Sequence, residues 1–161
     1  MAWKILVVFF VSMVPLIELR GAIPIGVALG LELPEWAILL IALIGNIIPV
    51  PFIYLFARKI LNWGKECKWH SFKKFSEFCL TKGEKAGSKL MKAAGKYGTF
   101  VALFLFVAIP IPGTGAWTGT LAASILNLNF KKTVIAITFG VLTAGIIMLL
   151  ISLGLFGWVG K

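Results

Sequence analysis

Two charged residues, Glu18 and Arg20, follow thirteen uncharged residues, 5–17, near the N-terminus. The segment that holds them reads ELRGAIPIG and also contains Gly21 and Pro24. A carboxylate can exchange a proton, and a guanidinium can bind an anion through several N–H donors. A charge at membrane depth costs at least about 2.5 kcal/mol, so it needs partners, water or a function. Two interpretations stay open: a structural pair that neutralises itself, or a site for substrate and coupling ions.

A second interruption of the apolar sequence, PIPGTGAWTG, spans residues 110–119. A helix that begins after such a break offers N–H groups without intrahelical partners, which attract anions. Thr114 is predicted to cap that helix. Trp117 either lines a pocket or anchors at the membrane interface. Facing helix N-termini and Arg20 predict an anion pocket for a phosphate or carboxylate group. The predicted site residues of this segment are Pro110, Pro112, Gly113, Thr114, Gly115 and Trp117.

Asn46 lies in the middle of a long apolar run, 36–57. We expect its amide to hydrogen-bond to a neighbouring helix, and a role in the site is the alternative. The same run contains Pro49 and Pro51, which are expected to kink or break the helix.

The composition is that of a membrane protein. Hydrophobic residues make up 60% of 161 positions, charged residues 14%, and the mean hydropathy is +0.99. Several apolar runs have the length of a spanning helix and lack period-two alternation, which favours helices over a barrel. The sequence therefore predicts one all-α, multi-pass domain of the inner membrane.

The charge of +10 is concentrated in one segment, because residues 58–96 hold eleven of the sixteen Lys and Arg and three of the six acidic residues. We interpret it as a cytoplasmic loop containing a basic amphipathic helix, rather than as a nucleic-acid site. Both cysteines and the single histidine lie there. Neither a disulfide, nor a metal site, nor a cofactor is predicted.

The chain on either side of this loop looks like two similar halves. Residues 3–57 and 97–159 each contain an apolar arm, a break, a short second arm and a long apolar run. Duplicated broken segments point to the binding site of a transporter. Each broken segment either crosses the membrane or dips in and returns. Counting positive charges gives a tie, but 5–17 reaches only about 20 Å of a roughly 30 Å core. Length therefore favours an inverted repeat of two re-entrant hairpins, each followed by a transmembrane helix.

The two motifs PLIELRGAIPIG and IPIPGTGAWTG together resemble the signature of the small multidrug export protein family, which in turn is similar to the DedA superfamily. The second resemblance implies two inverted re-entrant hairpins and, for some members, proton-coupled translocation of undecaprenyl phosphate. It also implies that Glu18 corresponds to the acidic residue of the first hairpin. DedA-type proteins carry arginines in the second hairpin, and PIPGTGAWTG has none.

Three functions compete at this point. The first is a translocase for a lipid phosphate or another anion, coupled to protons. The second is a proton-coupled exporter of cationic drugs, which requires Glu18 to be free of Arg20. The third is a membrane scaffold acting through the basic loop. The expected partners are membrane lipids, the substrate, protons and a second copy of the chain. An enzyme is not expected, because no nucleophile and base are paired and aspartate is absent from the sequence.

Overall fold

The computed structural model describes residues 2–15, 17–30, 33–66, 73, 74, 76–78, 81, 92, 97–111 and 114–159. Regular structure within these residues is helical throughout, as the sequence predicts. The helices are α1 (Ala2–Met13), α2 (Glu18–Ala28), α3 (Glu35–Ile47), α4 (Pro49–Glu66), α5 (Tyr97–Ala108), α6 (Ala116–Ile125) and α7 (Phe130–Val159). Most of the predicted amphipathic helix in 58–96 lies outside the described residues.

Two stretches are long and apolar enough to cross a membrane: Glu35–Glu66, which comprises α3 and α4, and Phe130–Leu155 within α7. Large apolar side chains such as Phe52, Leu55 and Leu150 point outward from them, as contact with lipid requires. The remaining helices are shorter. With 12 residues in α1, 11 in α2 and 10 in α6, each reaches about 15–18 Å, well short of a roughly 30 Å membrane core.

The first two helices form an antiparallel hairpin. Lys4 near the start of α1 donates a hydrogen bond of 2.7 Å to the carbonyl of Leu29, just beyond the end of α2. The chain turns between Met13 and Glu18, where Pro15 disfavours helical geometry for the residue before it. The turn of this first hairpin therefore lies at the end away from Lys4.

Helix boundaries differ from the sequence prediction at two places. We expected the second arm to begin after Gly21, but α2 begins at Glu18 and Pro24 lies inside it. The charged residues thus belong to the helix and not to the break. We also expected the basic loop to begin at residue 58, but α4 continues to Glu66, because no glycine or proline interrupts the sequence between Ala57 and Gly64.

Helices α5 and α6 form the second hairpin. A Cβ atom at Gly119, one turn into α6, would lie 2.9 Å from Val107 near the end of α5. The absence of a side chain there lets the two helices approach closely. The described part of the turn of this hairpin, residues 109–111, 114 and 115, faces the turn of the first hairpin.

The two long stretches run antiparallel beside the hairpins. Leu39 of α3 packs at Gly145 of α7, and the rings of Tyr54 and Phe130 lie 5.1 Å apart. This register places Asn46 between the two contacts, opposite the N-terminal half of α7. The helix breaks at Ile48, between α3 and α4, as the prolines at 49 and 51 predict. The core draws on both hairpins and both long stretches, and includes Val8, Leu19, Ile23, Ala42, Val50, Val107, Ala116, Ala123, Ile137 and Val141.

Candidate functional site: the contact between the two hairpin turns

The carboxylate of Glu18 lies at the N-terminus of α6. Its two oxygens accept hydrogen bonds from the backbone N–H groups of Ala116, at 3.1 Å, and Trp117, at 2.9 Å. Glu18 is 5% exposed, so these N–H groups replace the water that the charge has lost. The negative charge also lies where the α6 dipole is positive, which adds to the attraction. A side chain of the first hairpin thus caps a helix of the second.

Gly115 makes this contact possible. Its backbone has φ 145° and ψ −171°, a conformation that is essentially restricted to glycine. A Cβ atom there would lie 2.2 Å from a carboxylate oxygen of Glu18. Glycine is therefore required both by the backbone geometry and by the close approach of the carboxylate.

The guanidinium of Arg20 binds the other end of the same turn. It donates to the carbonyl of Ile111, and at 3.2 Å each to the carbonyls of Val107 and Ile109. The carbonyls at the C-terminal end of α5 have no intrahelical partners, and a cation there is favoured by the helix dipole. Arg20 thus caps the C-terminal end of α5, as Glu18 caps the N-terminal end of α6.

Thr114 does not cap α6 as predicted. Gly115 occupies the capping position and α6 has no capping bond from a neighbouring side chain. The Thr114 hydroxyl accepts a hydrogen bond of 3.0 Å from Arg20 and lies within donating distance of the carbonyls of Ile109 and Ile111. The cap comes instead from Glu18, 98 residues away, so a local capping rule could not find it.

These contacts bear on both sequence interpretations of the charged pair. Glu18 and Arg20 form hydrogen bonds with the second hairpin, to its backbone and, from Arg20, also to the Thr114 hydroxyl. At the predicted anion pocket, the N-terminus of α6 binds an anion. That anion is the chain's own carboxylate, and the donors of Arg20 are directed at carbonyl oxygens.

The backbone of Glu18 is itself in an uncommon conformation, with φ 51°. A residue other than glycine in this left-handed region costs about 1–2 kcal/mol. Such strain persists where surrounding contacts fix the residue, and it concentrates at functional sites. The two hydrogen bonds to α6 are the contacts that fix it here.

Two further predicted site residues, Asn46 and Trp117, have buried polar atoms without hydrogen-bond partners. Both amide atoms of Asn46 and the indole nitrogen of Trp117 are buried without a hydrogen bond. The expected bond from Asn46 to a neighbouring helix is therefore wrong. A buried amide costs about 1–3 kcal/mol when unpaired, and such a group marks a place for water or a ligand.

The other predicted residues surround this contact or lie outside the description. Pro110 belongs to the turn that Arg20 binds. A Cβ atom at Gly21 would lie 2.4 Å from the Ile17 side chain, so this glycine serves packing within the first turn. Pro112 and Gly113 lie outside the described residues. Within the described part of the chain, no group of three His, Cys, Asp or Glu is placed to hold a metal.

Sequence reasoning missed the partners that the second hairpin supplies from its backbone: the carbonyls of Val107, Ile109 and Ile111 and the N–H group of Ala116. No side-chain signal marks them. The glycine before α6 and the proline near the end of α5 indicate only that two helix ends are close by.

Comparison with known proteins identifies a family. The profile of the family described as "Putative small multi-drug export protein" matches residues 18–147. This range begins at Glu18 and contains every residue of the contact between the hairpin turns. No curated protein and no solved structure matches the chain.

Proposed function

We propose, on the premise that this chain belongs to the small multi-drug export protein family, that it is a proton-coupled membrane transporter which exports small organic cations. The observation that carries the proposal is the burial of the Glu18 carboxylate between the two hairpins, on the N–H groups of Ala116 and Trp117. Arg20 is engaged with carbonyl groups, which leaves Glu18 as the ionisable group that can exchange partners.

Glu18 has three alternative partners in this mechanism. When ionised and unliganded, it binds the N-terminus of α6 and holds the two hairpin turns together. A proton removes its charge and most of its attraction for the N–H groups, because charged hydrogen bonds are about twice as strong as neutral ones. A substrate cation would compete for the same carboxylate. Proton and cation therefore displace each other, which is the requirement for exchange transport.

The position of Lys132 supports a re-entrant topology. Its ammonium lies 5.9 Å from the ring of Tyr97, the residue that directly follows the basic segment 58–96. In a crossing topology Lys131 and Lys132 would lie across the membrane from this segment. In a re-entrant topology both lysines lie on the same side of the membrane as the basic segment. By the positive-inside rule, that side would be the cytoplasm.

The lengths of the helices support the same topology. Both hairpins consist of helices too short to span, and their turns meet between the two long stretches. Entry of the hairpins from opposite sides puts the Glu18 contact near the membrane midplane. Transporters built from inverted repeats bind substrates at that depth, at the ends of broken helices.

Transport by reconstituted protein tests the proposal. Proteoliposomes carrying a pH gradient are supplied with ethidium as the cationic probe, and its flux is followed by fluorescence. We expect Glu18→Gln to abolish flux driven by the pH gradient. Glu35→Gln is the matched control, because Glu35 is exposed at the start of α3, and it should transport as wild type. Equal ethidium flux in wild type and Glu18→Gln would refute the role of Glu18.

A second candidate is translocation of a lipid phosphate. One observation favours it: the α6 N-terminus accommodates an anion, so a phosphate group could replace the carboxylate once Glu18 is protonated. Binding of undecaprenyl phosphate to the purified protein, compared between wild type and Arg20→Ala, tests this candidate. Saturable binding that Arg20→Ala abolishes would support it, and the absence of saturable binding to the wild type would exclude it.

A further inference from the structure

A cleft lies between the start of α5 and the start of α7, away from the hairpin turns. Its volume is about 240 Å³. It is bounded by Leu128 beyond the end of α6, so it lies about 15 Å along that helix from Glu18. Pockets for drug-sized molecules have about 300–1,000 Å³. The cleft is therefore smaller than a site for a whole drug, and suits a compact headgroup.

The polar side chains that line the cleft supply hydrogen-bond donors. Lys132 brings an ammonium group, and Asn129 brings an amide. The amide oxygen of Asn129 accepts a hydrogen bond of 3.2 Å from the backbone N–H of Lys132. The part of the amide left to bind a ligand is therefore its NH₂ group, which is a donor. Within the described part of the chain, no acidic residue lines the cleft. A set of donors with one positive charge and no negative charge selects an anion.

Thr133 adds an independent observation. It lines the cleft, is 1% exposed, and its hydroxyl oxygen is buried without a hydrogen-bond partner. Buried hydroxyl groups in proteins are hydrogen-bonded in the large majority of cases. The oxygen itself has almost no accessible surface, and threonine in a helix can adopt two χ1 rotamers. Rotation about the Cα–Cβ bond of Thr133 would turn the hydroxyl toward the cleft, where an oxygen of a ligand would provide the missing partner.

The position of the ammonium group is defined by its neighbour. Lys132 lies over the ring of Tyr97, and a cation above an aromatic face is held there by about 0.5–1 kcal/mol at exposed sites. The contact favours a position of the ammonium beside α5 although the side chain is carried by α7. It offsets part of the side-chain entropy that a lysine loses when an anion binds.

The remaining wall of the cleft is apolar. Leu103 and Leu128 are buried and Phe100 is partly buried, and all three line the cleft. An inorganic anion gains no favourable contact from these apolar side chains. A lipid, whose phosphate lies beside its hydrocarbon chains, uses the donors and the apolar side chains together.

We propose that this cleft binds the headgroup of one anionic phospholipid, with Lys132, Asn129 and Thr133 around the phosphate and one acyl chain along Phe100, Leu103 and Leu128. The site is separate from the Glu18 contact, so it does not depend on the proposed transport. Basic pockets between transmembrane helices are a common form of lipid site.

Native mass spectrometry of the purified protein tests the site. Phosphatidylglycerol and phosphatidylcholine are titrated separately, and the bound fraction of each is counted. Wild type should bind one phosphatidylglycerol much more tightly than phosphatidylcholine. Lys132→Ala should weaken that binding about tenfold, the effect of one charged hydrogen bond. Lys132→Arg should restore most of it, and Thr133→Val should weaken it about threefold.

Lys131→Ala is the matched control, because Lys131 is exposed, carries the same charge and is not among the lining residues. It should bind phosphatidylglycerol as wild type. An equal loss in both lysine variants would show a diffuse surface charge and overturn the proposal. So would equal binding of the two lipids. Displacement of phosphatidylglycerol by millimolar inorganic phosphate would assign the cleft to free phosphate and overturn the lipid site.

Discussion

The turns of the two hairpins meet, but they contribute different chemistry to the contact. The first turn contributes side chains: the Glu18 carboxylate and the Arg20 guanidinium. The second contributes backbone: N–H groups at the start of α6 and carbonyl groups at the end of α5. Each charge lies at the helix end whose dipole attracts it, the anion at an N-terminus and the cation at a C-terminus. The Glu18 carboxylate satisfies N–H groups that have no intrahelical partner, and Arg20 adds a charged donor to carbonyls of which those of Ile109 and Ile111 also accept local hydrogen bonds.

The largest effect is expected from a change in the α6 backbone that the Glu18 carboxylate contacts. Gly115→Ala places a non-glycine residue at φ 145°, which costs about 1–3 kcal/mol, and puts a methyl group against the Glu18 carboxylate. We expect the free energy of unfolding to fall by about 3–4 kcal/mol, measured by circular dichroism during SDS titration.

Gly154→Ala is the control for that substitution, because a Cβ atom at Gly154 would meet nothing within 4 Å. It should leave stability unchanged or slightly higher, since alanine favours the helix by about 0.5–1 kcal/mol. If Gly115→Ala behaved like Gly154→Ala, the close approach of Glu18 to α6 would be wrong.

The next largest effect should come from removing the cation. Arg20→Ala removes the charged donor that the carbonyls of Val107, Ile109 and Ile111 share and should lower the unfolding free energy by about 2–3 kcal/mol. Arg20→Lys should recover less than half, because a single ammonium cannot reproduce the donor geometry of a guanidinium.

The same SDS titration measures both Arg20 variants, with Lys59→Ala as the control for loss of an exposed positive charge. Lys59→Ala should change stability by less than about 0.5 kcal/mol. A loss in Arg20→Lys as great as in Arg20→Ala would be compatible with the geometry, whereas full recovery would contradict it.

The third substitution removes the negative charge of Glu18 but keeps the shape of its side chain. Glu18→Gln retains one oxygen acceptor but loses the attraction of a charge to the α6 N-terminus. We expect a loss of about 1–2 kcal/mol, the upper range for a charge at a partly buried helix end. The exposed Glu35, at the start of α3, gives the reference: Glu35→Gln should cost a few tenths of a kcal/mol. Equal losses would mean that burial adds nothing to the Glu18 contact.

The smallest effect should come from the one side chain that the second turn contributes. Thr114→Val removes the hydroxyl that accepts a hydrogen bond from Arg20 and should cost about 1 kcal/mol. Thr143→Val is matched to it, because the Thr143 hydroxyl bonds only to the carbonyl of Phe139 in its own helix. That control should be near neutral, and a greater loss there than at Thr114 would argue against a role of Thr114 in the contact.

The sequence was sufficient to predict where the apolar runs are interrupted, and it singled out two charges. Prolines and glycines in runs of apolar residues mark both turns, and Glu18 and Arg20 stand out because ions are costly in lipid. A meeting of the two interruptions was also inferred from the sequence, and in the structure the N–H group of Ala116 donates a hydrogen bond to Glu18.

What each charge binds could not be predicted. Capping rules examine three or four residues, and by such a rule Thr114 is the natural cap of α6. The actual cap is 98 residues away in the sequence. The start of α2 was misplaced for a related reason: Gly21 and Pro24 normally interrupt helices, but packing of Leu19, Ala22 and Ile23 in the core keeps this segment helical.

The long separation between Glu18 and its partners has a consequence for biosynthesis. At about 5–20 residues per second, a ribosome takes roughly 5–20 s to proceed from Glu18 to Ala116. During that interval the first hairpin exists without the second, and the two charges have only each other and water. The nascent first hairpin therefore carries two ions that still lack their final partners. Its turn can enter the membrane interior at low cost only once the second hairpin has been made.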